Sequence, residues 1–189
     1  MHPALIKYLD GKIILSPQQE QLVSYCFKPI LTKRNQILLQ KGTIARHLYF
    51  VVKGCLRIFL TAEDGSESTR FLIFEGRMGT AFPSFILRQP SLASVQTLEP
   101  SHLLMLSHPD RQRLYKEIPG WETMDRLGIE LDYIASIQRI ESFITMDAKA
   151  RYDSLMQQHP EMVQRLPAKI IADYLGISHE TLSRLKSKM

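Results

Sequence analysis

Residues 166–189 read LPAKIIADYLGISHETLSRLKSKM, a pattern of two short helices joined by a tight turn. Apolar or small side chains recur at Ile171, Ala172, Leu175, Ile177, Leu182 and Leu185, with Gly176 at the bend. The small Ala172 midway along the first helix lets the second cross close by, and glycine at the bend accepts a left-handed backbone. Ser178 is placed to cap the second helix, because its hydroxyl can accept a free backbone N–H there. His179, Glu180, Thr181, Ser183, Arg184, Ser187 and Lys188 are left facing outward. Such a helix can lie in the major groove of double-stranded DNA with its first residues at the base edges. The same pattern also serves an ordinary helical hairpin, in which Glu180 and Arg184 form a surface pair one turn apart. What lies upstream weighs between the two.

Just before this motif, Thr145 or Asp147 is positioned to cap a helix over 148–158, which His159-Pro160 ends. Before that comes a long helix from about Trp121 to Ile144. Met124, Leu127, Leu131, Ile134, Ile137, Ile140 and Ile144 recur at spacings of three and four. At ~1.5 Å per residue it would run on the order of 35 Å, too long for a small domain to cover. Its apolar face therefore suits a copy of itself, with Gly128 allowing close approach.

From Ile37 to about Ser107 the period changes to that of strands. Ile37–Leu39, Leu48–Val52, Leu56–Leu60, Thr69–Phe74, Ser94–Leu98 and Leu103–Leu106 are separated by turns at Lys41-Gly42, Lys53-Gly54 and Asp64-Gly65. Leu56, Ile58 and Leu60 alternate with Arg57 and Phe59. Short strands with glycine turns point to a sandwich or barrel, and no βαβ alternation exists for a parallel sheet. Residues 4–28 read as helical, with Ser16-Pro17-Gln18-Gln19 a helix start and capping box. The expected class is α+β: a jelly-roll-like antiparallel β-roll flanked by helices over 1–120, a dimerisation helix over 121–145, and a small all-α helix-turn-helix domain over 146–189.

This order of elements resembles the cyclic-AMP receptor/fumarate-nitrate regulator (Crp/Fnr) superfamily of bacterial transcription factors, over nearly the whole chain. The resemblance is carried by Gly42, by His47-Leu48-Tyr49-Phe50-Val51-Val52-Lys53-Gly54-Cys55-Leu56-Arg57, by Asp64-Gly65, and by Gly176-Ile177-Ser178-His179-Glu180-Thr181-Leu182-Ser183-Arg184. It implies a homodimer that binds DNA and works with RNA polymerase in the cytoplasm. It also implies that Glu180 accepts from a cytosine amine and Arg184 donates to guanine, while Ser178 and Thr181 hold phosphate. His179 stands where the family often has arginine. The chain departs from the family at the nucleotide cassette, which needs Gly-Glu-Leu and later Arg-Ser. Here the segments read Gly79-Thr80-Ala81-Phe82 and Pro90-Ser91-Leu92-Ala93-Ser94. Both the carboxylate and the arginine are missing, and a buried phosphate without a cation is costly. Cyclic AMP is thus not expected. Gly79, Thr80, Phe82, Ser91 and Ser94 are the candidate lining for a different effector, although Phe82, Phe85, Ile86 and Leu92 equally suit a filled core. The family's iron–sulfur members need four cysteines, and this chain has two. A second departure is the absence of a β-hairpin wing around the helix-turn-helix.

Composition limits the other classes. Lys+Arg outnumber Asp+Glu by 24 to 19, but residues 1–108 hold 12 basic and 7 acidic side chains, so the excess is not on the reading head. No apolar run is long enough to span a membrane. Cys26 and Cys55 are too few for a disulfide framework or a zinc site. Lone strand histidines such as His47 and His102 read as structural, and no metal or cofactor is expected. His108-Pro109-Asp110 is the nearest approach to a catalytic cluster and reads as a helix cap, so no enzyme is expected. The alternative to a regulator is a ligand-binding or interaction module whose short helix-turn-helix no longer binds DNA.

Overall fold

The computed structural model describes residues 1–187. It opens with helices α1 (Pro3–Leu9) and α2 (Pro17–Cys26), followed directly by strand β1 (Phe27–Thr32). The continuous helical reading of residues 4–28 is therefore corrected, since the chain leaves the helix at 10–16 and again after Cys26. Pro29 explains the second exit. Its fixed φ and missing N–H disfavour a helix interior but are tolerated on an edge strand, which β1 is. The capping box of α2 does form: Ser16 Oγ accepts from the Gln19 N–H at 3.3 Å, and Gln19 Oε1 accepts from the Ser16 N–H at 2.9 Å.

The strands that follow are β2 (Ile37–Leu39), β3 (His47–Lys53), β4 (Leu56–Thr61), β5 (Glu67–Ile73), β6 (Met78–Gly79), β7 (Ala93–Thr97) and β8 (Ser101–Ser107), with helix α3 (Phe82–Leu87) between β6 and β7. They form two four-stranded sheets, ordered β1-β8-β3-β6 and β2-β7-β4-β5. In the first, β8 is central, antiparallel to β1 through Phe27↔Leu106 and to β3 through Leu48↔Leu106. In the second, β7 lies antiparallel to β4 through Leu56↔Thr97. This is the expected β-roll. The alternation in β4 is only partly realised, because Arg57 and Phe59 are also buried and the guanidinium lies 4.5 Å over the Phe59 ring.

Helix α4 (His108–Glu117) starts at Ser107, whose Oγ accepts from the Asp110 N–H at 3.1 Å. Helices α5 (Trp121–Thr145), α6 (Ala148–Gln158), α7 (Pro160–Arg165), α8 (Ala168–Leu175) and α9 (His179–Lys186) complete the chain. The short helix α7 is a further finding: His159-Pro160 does end α6, but Pro160 also occupies the first turn of a new helix, where its missing N–H costs nothing.

The chain divides into two compact units, Met1–Leu60 with Arg70–Leu127, and Thr61–Thr69 with Gly128–Met189. The first is built on a core containing Leu5, Phe50, Phe85, Leu103, Leu114 and Trp121, all nearly inaccessible to solvent. Burial of each such side chain contributes about 1.5–3 kcal/mol against conformational entropy. The second has a small core of its own, in which Tyr152, Leu155, Met162, Leu166, Ile171, Leu175 and Leu182 come from α6, α7, the residue after it, α8 and α9. Of the two proposed caps for α6, Asp147 is the one used, its Oδ1 accepting from the Ala150 N–H at 2.8 Å. Asp147→Ala is expected to lower stability by about 1 kcal/mol, read as a reduced urea midpoint at unchanged slope. An unchanged midpoint would mean that water replaces the carboxylate at no cost.

Candidate nucleic-acid interface

The helix-turn-helix forms within the second unit as its sequence requires. Gly176 has φ +64° and ends α8 in the left-handed region, and its N–H bonds to the Asp173 carbonyl. The left-handed backbone favours glycine, and a Cβ here would lie 2.7 Å from Phe143 Cε1, so a larger residue would also have to displace that ring. Two residues on, Ser178 Oγ accepts from the Thr181 N–H at 3.1 Å and caps α9. Ile171, Ala172, Leu175 and Leu182 are buried, which fixes the face that α9 turns outward.

That outward face holds most of the expected readers. Ser178, His179, Glu180, Ser183 and Arg184 are exposed, and Thr181 is half-buried. Lys188 lies outside the described residues. Ser178 Oγ also donates to Thr181 Oγ1 at 3.1 Å, and Arg184 Nη2 donates to the same oxygen at 3.2 Å. The guanidinium is thus steered along the helix by Thr181, and among the described residues no ion pair joins it to Glu180. The Glu180 carboxyl is held below the ordinary glutamate range, first by its own backbone N–H and then by the Ser178 hydroxyl. At neutral pH the face presents one carboxylate acceptor and one guanidinium fork a turn apart. That is the donor–acceptor set that reads a cytosine amine and a guanine edge.

Two arginines that the sequence did not single out hold this head in place. Arg139 Nη2 donates to the Tyr174 carbonyl at 2.7 Å and to the Thr69 carbonyl at 3.2 Å. Its guanidinium stacks 4.0 Å over the Tyr174 ring and 5.1 Å from the Phe143 ring. Arg151 Nε donates to the Leu175 carbonyl at 3.0 Å and its Nη1 to the Met146 carbonyl at 2.7 Å. Both therefore satisfy carbonyls at the C-terminal end of α8, where the helix dipole also favours cations. Burial holds the Arg139 guanidinium below its ordinary range. The partners lie 35 and 24 residues away in sequence, so no local spacing announces them.

The candidate effector residues are placed differently. Gly79 lies on β6 opposite Tyr49. Thr80 donates its hydroxyl to the His47 carbonyl at 2.8 Å, Ser91 donates to the Ala93 carbonyl at 2.7 Å, and Ser94 accepts from the Lys41 N–H at 3.0 Å. Phe82 opens α3, half-buried, with the Arg111 guanidinium 5.8 Å over its ring. Of the five, Thr80 alone lines one of the two hollows described below. Among the described residues no group of His, Cys, Asp and Glu is arranged to hold a metal ion, and no helix is long and apolar enough to cross a membrane. Cys26 and Cys55 are both buried, and burial pushes the Cys26 thiol up to about 11.

Comparison with known proteins agrees with this architecture. Residues 30–117 match the cyclic nucleotide-binding domain family. No curated protein matches the chain. Among solved structures, FixK2 from Bradyrhizobium japonicum superposes with a TM-score of 0.74 at 14% identity, over 86% of this chain and 83% of that one. The c-di-GMP responsive global regulator CLP of Xanthomonas campestris gives 0.70 at 17%, over 92% and 91%. A chain from Eubacterium rectale assigned to the Crp/Fnr family of transcriptional regulators gives 0.70 at 18%, over 90% and 82%. The chain thus has the fold that these regulators, one of them assigned to the Crp/Fnr family, share.

Proposed function

We propose that this chain is a homodimeric, sequence-specific DNA-binding transcription regulator that reads its operator with α9. Glu180 and Arg184 read base edges, Ser178 and Thr181 hold backbone phosphates, and His179, Ser183 and Lys188 make the flanking contacts. The carrying observation is the exposed polar row of α9, set on a glycine turn and a capped start, with Arg184 aligned by Thr181. Homodimerisation is supported by the apolar row of α5, where Leu127, Leu131, Ile134, Ile140 and Ile144 remain at least half exposed in the single chain. A buried pairing of two such rows would place two reading heads on half-sites about one DNA turn apart. Contact with RNA polymerase in the cytoplasm follows from the same reading. So does control by an effector other than cyclic AMP, because the nucleotide cassette lacks its carboxylate and arginine.

The test is selection of bound duplexes from a random pool at two salt concentrations. A palindrome with half-sites one turn apart is expected, with affinity falling steeply as salt rises. Arg184→Ala is expected to relax preference at one base pair per half-site by roughly thirtyfold while the salt slope changes little. Unchanged affinity and base choice in that variant would remove α9 from the role of reader.

A further inference from the structure

The loop joining β2 to β3 runs between two hollows in the first unit. One, of about 230 Å³, is lined by Leu38, Leu39, Thr43, Ala45, Tyr49 and Thr80 together with Ile44, Arg46 and His47. The other, of about 380 Å³, has the same Ile44, Arg46 and His47 on one side and Arg88, Ser107 and Pro109 on the other. The two spaces adjoin through Ile44, Arg46 and His47, and the rest of their linings differ. The first sets an apolar side, Leu38, Leu39, Ile44 and Ala45, against polar neighbours. Its Thr80 hydroxyl is spent on the His47 carbonyl, and the Tyr49 phenol is pushed up to about 12 by burial, so it presents no charge. The second is cationic.

Arg46 is exposed, and its guanidinium has no hydrogen-bond or ion-pair partner among the described residues. Arg88 lines the same hollow and has an unusual backbone. It has φ +56°, a left-handed conformation that a residue with a Cβ adopts only under constraint. One guanidinium nitrogen donates to the Ala45 carbonyl at 2.7 Å and the Phe85 carbonyl at 3.3 Å, which fixes the charge at the rim of the hollow. The effect of both charges is felt by nearby imidazoles. Burial and then Arg46 hold His47 below the ordinary histidine range, with Asp110 opposing; burial, Arg88 and Arg111 do the same to His108. Arg111 is itself matched by Asp125 at 2.6 Å, and the Asp110 carboxylate accepts from Ser107 Oγ at 2.5 Å. Arg46 and Arg88 thus line a space that adjoins Leu38, Leu39 and Ala45, and Asp110, the carboxylate felt at His47, is already hydrogen-bonded. Such groups favour an anion that carries its own apolar body.

We propose that this double hollow binds a small organic acid, with its carboxylate between Arg46 and Arg88 and its carbon body against Leu38, Ala45 and Tyr49. The site is separate from the DNA reading and from the five cassette residues, apart from Thr80 on its wall. Arg46 supplies the free half of the anion clamp, and Arg88 the half already braced on backbone carbonyls. The apolar side selects against inorganic anions, which gain nothing from it.

Isothermal titration of the full chain, with no DNA present, tests this with three probes: octanoate, octanol and inorganic phosphate. Octanoate is expected to bind at one site, with octanol and phosphate each at least tenfold weaker, since each lacks one half of the match. Arg46→Gln keeps an exposed polar side chain at a surface position and is expected to fold normally, confirmed by an unchanged melting temperature without ligand. It should weaken octanoate roughly tenfold and leave octanol unchanged. Equal binding of octanol would overturn the role of the arginines, and equal binding of phosphate the role of the apolar half. Octanoate binding that is undetectable, or that is unaltered in Arg46→Gln, would overturn the site itself. Because DNA is absent, failure here leaves the reading of α9 untouched, and loss of DNA selection leaves this measurement intact.

Discussion

Replacing Gly54 with alanine is expected to cost the β-roll about 3 kcal/mol, the largest loss we anticipate from adding one methyl group to this chain. Gly54 makes the reversal between β3 and β4 at φ +112°, and its N–H donates to Glu75 Oε1 at 2.8 Å. A Cβ there would fall 2.1 Å from Ser101 Oγ and 2.9 Å from Ser101 Cα. The hydroxyl can rotate away; the backbone cannot, because Ser101 begins the central strand β8 and pairs with Thr32. The expected loss therefore combines backbone strain with a displaced strand end. Gly42→Ala isolates the first part, since Gly42 has φ +87° but nothing within 4 Å of its added Cβ. It should cost only about 1 kcal/mol. Calorimetric unfolding of both variants makes the comparison. Equal losses would mean that the strand end yields freely and that close approach to Ser101 does not restrict this turn.

The second large effect is expected from Arg139→Met, at about 2 kcal/mol on the second unit. Methionine keeps most of the stem but leaves the Tyr174 and Thr69 carbonyls without their guanidinium donor. It also removes the stacking on Tyr174. Part of the loss is offset because a half-buried charge no longer has to be desolvated. Hydrogen exchange resolves the effect by position: amides of α8 and α9 should exchange roughly thirtyfold faster, while those of β3 and β8 should keep their rates. Arg139→Lys is expected to rescue little, since a single ammonium does not reproduce a planar fork between two carbonyls. Uniform acceleration across both units, or none at all, would show that Arg139 does not specifically secure α8 and α9.

These two residues also show where the sequence was readable. The bend at Gly176, the cap at Ser178 and the buried positions of α8 and α9 are local in chain terms, so spacing alone located the helix-turn-helix. The strands around Lys53-Gly54 carry the same kind of signal. Arg139 and Arg151 look like solvated charges on helices, because the carbonyls they satisfy lie far along the chain. β1 was hidden inside an apolar run continuous with α2, although Pro29 was a usable sign that the helix had ended. Serine and threonine are the hardest to read. Ser91, Ser94 and Thr80 offer the same hydroxyl whether it will meet a ligand or a backbone group, and here all three are committed to backbone. That Arg46 and Arg88 line one hollow was invisible for a further reason: Arg88 has a left-handed backbone that no pattern around it announces.

The pairing of β1 with β8 and of β2 with β7 also bears on how the chain is made. On a ribosome β1 emerges some seventy residues before the strand that covers it, and β2 more than fifty before β7. Until Ser101–Ser107 has emerged, the first sheet lacks its middle strand, and Phe27, Phe50 and Val51 have no finished core to enter. A nascent chain paused in this interval is the stage most open to aggregation or to capture by a chaperone. Helices α6 to α9 follow these strands in the chain, and the buried Tyr152, Leu155, Ile171 and Leu182 of their core all come from helices. Synonymous changes that slow translation between residues 40 and 100 should therefore reduce the yield of folded protein more than the same slowing placed after residue 128.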